Sequence, residues 1–194
     1  MAYFYLFIIN IFINKMSILQ LLENTKFPKN TRKNISTESQ RCFVLGDVNY
    51  RGQSYLQGRT RGPSRYNKKF PELFNALKNL IKNHDPDFSY TTIQLNKNIE
   101  SAPHIDKNNV GDSYIIGLGD YTGGDLVVEG VKFDIKDKFF RFDGTKGHWN
   151  KSFKGTRYSI VFFTHTFKPP AYHLRFVEIK KDGYYVKGKL VKSY

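Results

Sequence analysis

Residues 146–163 read KGHWNKSFKGTRYSIVFF, and the second half of this stretch decides the fold class. Segment 157–165 is rich in β-branched and aromatic residues, which suit a pleated, half-buried surface, and it is expected to form a strand. Working outward, short alternating runs recur at 89–96, 113–118, 125–129, 131–135 and 138–142, separated by Gly, Asp and Asn turn residues. A further strand is expected within 41–50, and the tail 174–191 reads as a hairpin turning at Asp182-Gly183. Gly117-Leu118-Gly119 and Gly123-Gly124 read as hairpin turns, since no helix follows them as a phosphate loop requires. About eight short strands with no helices between them imply a jelly roll or barrel, so the fold class is mostly β (α+β). Pro71 opens an amphipathic helix with Leu73, Phe74, Leu77, Leu80 and Ile81 on one face, and a shorter helix is expected over Ser17 to Glu23.

Upstream of the deciding stretch lies SAPHIDKNN, residues 101–109. Two residues one apart on a strand point the same way, so His104 and Asp106 can offer a nitrogen and an oxygen to one ion. His148 follows 42 residues after Asp106 and supplies a third donor. Two histidines and a carboxylate are the donor set of non-haem iron oxygenases, with coordination positions left open. Arg157 and Ser159 share one face of the strand that follows. A buried arginine needs an anionic partner, and either a dicarboxylate co-substrate or an acid such as Asp143 could supply it. Gln94 and Asn96 alternate on the strand before the metal motif and could reach the same co-substrate.

With these residues in place, positions 89–166 resemble the iron(II)/2-oxoglutarate dioxygenases, whose double-stranded β-helix core carries H-x-D, a distal His and then an Arg. Within that superfamily the sequence looks like the TET/JBP group. There the first motif extends to H-x-D-x-x-N, matched by His104, Asp106 and Asn109; the second is R-x-S with an aromatic six and a His eight residues after the Arg, matched by Arg157, Ser159, Phe163 and His165. The resemblance implies Fe(II), 2-oxoglutarate and O2 as cofactors and the 5-methyl group of a nucleic-acid pyrimidine as the target. It places His104, Asp106 and His148 on iron, Arg157 and Ser159 on the co-substrate's far carboxylate, and Asn109, Phe163 and His165 around a flipped base. The group's ring is usually Tyr where this chain has Phe163, and the interval from His148 to Arg157 is nearer that of prolyl hydroxylases. A protein hydroxylase acting on Pro, Lys or Asn is therefore the alternative, and a non-catalytic β-barrel binding module the rival from another class. Read without the resemblance, Asn109 is a turn residue, Phe163 a core ring and His165 a strand-end histidine.

The formal charge of +14, from 31 Lys and Arg against 17 Asp and Glu, attracts polyanions, and DNA or RNA is the expected partner. Segment 51–69 reads as an exposed loop in which Arg59, Arg61, Arg65 and Lys68 interleave with Tyr55 and Tyr66, a pattern suited to phosphate and base contact or to a solvated surface. The single cysteine, Cys42, excludes an internal disulfide framework, and no disulfide-linked partner is expected. The apolar run Tyr3 to Ile13 is too short to span a bilayer and lacks the features of a secretory signal, so no stable membrane association and an intracellular location are expected. Met16 offers a second start. Residues 1–15 are read as dispensable and 16–194 as one dioxygenase domain with its core at about 89–166.

Overall fold

The computed structural model describes residues 15–30, 40–49 and 61–166, together with the backbone of 177–180, 183–186 and 189–193. Helix α1 (15–24) is followed by β1 (Lys29–Asn30), β2 (Gln40–Asn49), β3 (Arg61–Pro63), α2 (Arg65–Lys69) and α3 (Pro71–His84). The remaining strands are β4 (Thr92–Lys97), β5 (Ser113–Leu118), β6 (Tyr121–Gly123), β7 (Leu126–Val128), β8 (Val131–Phe133), β9 (Phe140–Phe142), β10 (His148–Asn150), β11 (Phe153–Gly155), β12 (Tyr158–Phe163), β13 (Val177–Lys180), β14 (Gly183–Val186) and β15 (Lys189–Ser193).

The larger sheet runs β1-β2-β4-β12-β5-β9, with β3 added to β2, and its pairings are antiparallel. Smaller sheets, β10-β7-β8 and β11-β6, complete a jelly roll, and the expected fold class holds. Period-two alternation divides the large sheet into two functions. Tyr158, Ile160 and Phe162 of β12, Ile116 and Leu118 of β5 and Ile93 and Leu95 of β4 join one buried cluster with Leu73, Leu77, Leu80 and Ile81 of α3 and Ile18 and Leu22 of α1. The opposite face carries Ile115, which packs with Leu126, Ile135 and Phe142 in a second cluster between the sheets. Ser159, Val161 and Phe163 turn to that same interior, where a cavity opens.

Several sequence expectations shift by local chemistry. Segment 51–69 is not wholly a loop: Arg61–Pro63 pairs with β2, and Ser64 caps α2 by accepting from the Tyr66 amide while its hydroxyl donates to the Val44 carbonyl. Strand β8 stops at Phe133 because the Asp134 carboxylate captures the Lys136 amide, and β9 waits until Phe140 because Asp137, at φ 57°, turns the chain. Gly117 lies inside β5, and the turns at Gly119 and Gly123-Gly124 pass the chain between sheets, since β6 pairs with β11 rather than with β5 or β7. The tail hairpin pairs Lys180 with Gly183 and gains a third strand, β15. Residues 1–14 lie outside the described residues, as do Arg59 and Tyr55. Among the described residues no helix is long and apolar enough to cross a membrane.

Helix α3 is held to the sheet by its apolar stripe. Leu77 is fully buried at the centre of it, so Leu77→Ala is expected to cost about 2–5 kcal/mol, read as a lower urea midpoint with little change in the slope of the transition.

Candidate metal and co-substrate site

The backbone brings the two histidines together before any side chain acts. His104 N–H donates to the His148 carbonyl at 3.0 Å and His148 N–H to the His104 carbonyl at 2.9 Å, a reciprocal antiparallel pair. His148 is the first residue of β10, whereas His104 stands in an isolated bridge and not in the continuous strand that the sequence suggested. Asp106 is fixed separately, its amide donating to the Gly144 carbonyl at 2.9 Å. The result is that ligand atoms of His104, Asp106 and His148 all lie within 4.8 Å of one another, with His148 Nε2 3.9 Å from Asp106 Oδ2.

Both rings are held in one tautomer. His104 Nδ1 lies 2.7 Å from the Ala102 carbonyl and His148 Nδ1 2.8 Å from the Lys146 carbonyl. A carbonyl only accepts, so each Nδ1 carries the hydrogen and each Nε2 presents a lone pair, the form a metal ion binds. Two imidazole nitrogens and one carboxylate oxygen fit a first-row ion such as ferrous iron.

Arg157 sits just before β12, pinned by two bonds: its amide donates to Asn98 Oδ1 at 2.8 Å, and the Asn98 amide donates to its carbonyl at 2.8 Å. Its side chain is 2% exposed, with the guanidinium 5.4 Å from the Phe153 ring centre and 5.6 Å from that of Tyr121. Burial lowers its pKa from the ordinary arginine value, and the facing Tyr121, then the more remote charge of Glu100, offset only part of that. Among the described residues no acid forms an ion pair with it, and its Nε and the Tyr121 hydroxyl are buried without a hydrogen-bond partner. Asp143, the candidate internal partner, instead binds Thr145 through its amide and hydroxyl. Space for this group is made by glycine. A Cβ at Gly124, where φ is +75°, would come 2.9 Å from Arg157 Nε, and one at Gly117 would collide with the Tyr121 hydroxyl.

A polar chain runs beside the arginine. Gln94 Nε2 donates to Asn96 Oδ1 at 3.0 Å, and Asn96 Nδ2 to Ser159 Oγ at 3.1 Å, across the direct Ser159–Asn96 register pair. This leaves the Ser159 hydroxyl hydrogen available to an anion. One cavity is lined by His104, Asp106 and His148 at one part and by Arg157, Ser159, Asn96 and Gln94 at another, with Phe163 also on its wall.

Asn109 and His165 are not on that wall. They form an isolated backbone bridge, Asn109 Nδ2 donates to Ser113 Oγ at 3.3 Å, and His165 Nδ1 meets Thr92 Oγ1 at 3.1 Å. Phe163 and His165 remain neighbours, with ring centres 5.7 Å apart. Arg61 pairs with Asp47 at 3.5 Å, while Arg65 and Lys69 lie over the rings of Tyr66 and Phe70 on α2. Sequence reading missed Tyr121, Phe153, Asn98 and Asn150. Asn150 was within reach, because it stands two residues after His148 on β10 and so shares its face.

No protein-family model and no curated protein matches the sequence. Solved structures do. An oxidoreductase of the 2OG-Fe(II) oxygenase family from Burkholderia pseudomallei superposes with a TM-score of 0.50 at 16% identity, over 76% of each chain. OsALKBH1 gives 0.47 at 14% identity over 80% of this chain and 91% of its own, and NgTET1 in complex with 5mC DNA gives 0.45 at 15% over 80% and 67%. The first of these establishes that the chain has the fold of a 2OG-Fe(II) oxygenase family member.

His165 supplies a pH signature of the site's rim. Burial, then repulsion from Arg61, lowers its pKa from the ordinary 6.5, and Asp47 opposes this in part. The unfolded chain therefore binds the proton more readily. Stability from this group is full above about pH 6.5 and is lost as pH falls through the lower folded value. Urea denaturation at pH 7.5 and pH 5.5 should show a smaller pH-dependent loss in His165→Gln than in the parent.

Proposed function

We propose that this chain is an Fe(II)- and 2-oxoglutarate-dependent dioxygenase that oxidises the 5-methyl group of a pyrimidine base in nucleic acid. The observation that carries the reading is one cavity holding two tautomer-locked histidines and Asp106 together with a buried arginine that, among the described residues, forms no ion pair. Bound there, a ferrous ion with 2-oxoglutarate and oxygen supplies oxidative C–H chemistry. His104, Asp106 and His148 hold the ion. Arg157, with the Ser159 hydroxyl, neutralises and orients the co-substrate's far carboxylate, and Asn96 and Gln94 keep Ser159 in place. Ile115, Leu126, Phe142 and Val161 give the cavity an apolar wall that limits water around the reacting carbon.

The nucleic-acid part of the proposal rests on charge and rings. The formal charge is +14, and Phe163 offers a stacking face on the cavity wall. The His165 ring lies beside that of Phe163, and Asn109 is bridged to His165 through the backbone. Arg59, Arg61, Arg65 and Lys68 are assigned to the backbone. Turning a base out of a duplex costs a few kcal/mol, which phosphate contacts offset.

Mass spectrometry of nucleosides from 5-methylcytosine- and thymine-containing DNA, incubated with protein, ferrous iron, 2-oxoglutarate and oxygen, should find oxidised 5-methyl products. Succinate release without such products would move the substrate to RNA or to a protein side chain. No succinate release at all would overturn the dioxygenase. Asp106→Ala should abolish turnover, and turnover retained in that variant would remove Asp106 from the ligand set. The double variant Arg59→Ala, Arg61→Ala should weaken DNA binding and flatten its salt dependence by about two phosphate contacts; an unchanged salt slope would remove this surface from the interface.

A further inference from the structure

The reciprocal bonds between His104 and His148 form one rung of an antiparallel ladder, and the next rung is missing. Regular pairing would place Ala102 opposite Asn150, with the Asn150 amide donating to the Ala102 carbonyl. In the structure that carbonyl accepts from His104 Nδ1 at 2.7 Å instead. In the rung's place stands a side-chain clasp one residue further back. Asn150 Oδ1 accepts from both the amide and the hydroxyl of Ser101, each at 2.7 Å, and the Asn150 amide donates to Ser101 Oγ at 3.2 Å. Two residues therefore separate Ser101 from His104 where one separates His148 from Asn150, a bulge that contains Pro103, which has no amide N–H to offer.

We infer that Asn150 and Ser101 form a positioning clasp for the metal pair, holding segment 101–103 out of regular pairing so that the Ala102 carbonyl faces the His104 ring and turns its Nε2 toward Asp106 and His148. The inference rests on the metal reading above. Among the described residues these are the hydrogen bonds that tie segment 99–103 to β10. Without the clasp, segment 101–103 loses its tie to β10, the Ala102 carbonyl shifts off His104 Nδ1, and the ring loses its fixed tautomer and angle. Asn150 also lines the cavity with His148, so the clasp is part of the wall it organises.

The test uses Co(II), whose visible absorption reports coordination, titrated into the full chain and followed by calorimetry. Ser101→Ala and Asn150→Ala should each weaken binding about tenfold or more and alter the cobalt spectrum. The double variant should be no weaker than the worse single one, because both remove the same clasp. Ser101→Thr, which keeps amide and hydroxyl, should bind within twofold of the parent. Should Asn150→Ala fail to fold, Ser101→Ala, which removes a single hydroxyl, and its Thr counterpart carry the test. A parent chain that binds no Co(II) would overturn the metal reading itself. Binding by the parent with unchanged affinity in the variants, additive losses, or no rescue by Thr would overturn the clasp alone.

Discussion

The site depends on a constraint set by main chain: two hydrogen bonds that hold His104 against His148. They join a segment leaving β4 to the first residue of β10, and so bring two donors into contact across 44 residues of sequence. The side chains then need only rotamers and tautomers, both supplied by carbonyls two residues upstream of each ring. In a cluster whose donors are placed by main chain, little ordering would be left for an ion to drive.

The large sheet carries the other part of the cavity. Strand β12 sits centrally, paired on both sides, and its two faces do different work. Tyr158, Ile160 and Phe162 are at most 1% exposed and join the helices to the sheet, while Ser159, Val161 and Phe163 line the cavity. A slip by one residue would exchange the two sets, placing a serine in the core and an apolar side chain beside Arg157. The hydrophobic core and the chemistry are thus coupled through register.

The grouping of His104, Asp106 and His148 was legible because an H-x-D pair is followed by a histidine just before the last core strand, and Arg157 because a charged residue interrupts that apolar strand. Strand positions were legible from alternation wherever the run was long. What escaped was short or distant: β6, β10 and β11 have three residues each, too few to show a period, and Ser64 reads as a loop residue until Val44 is seen beside it. Tyr121 was hidden for another reason. Its relation to Arg157 is made by two strands from different sheets, and the only trace in sequence is that Gly117 and Gly124 leave room for both groups. Asn109 and His165 show the converse: motif spacing identified them, but the chain uses their side chains on Ser113 and Thr92.

The short connection that separates His148 from Arg157 has a bearing on how the site is built. Strand β11 pairs with β6, outside both sheets that carry the ligands, while His148 is fixed through β10 and Arg157 through Asn98. The two backbone anchors are separate from that pairing, but the Phe153 ring of β11 stands 5.4 Å from the Arg157 guanidinium, so the connection itself builds part of the arginine's pocket. A change in its length would reach the ring over Arg157 while leaving the main-chain rung at His148 in place.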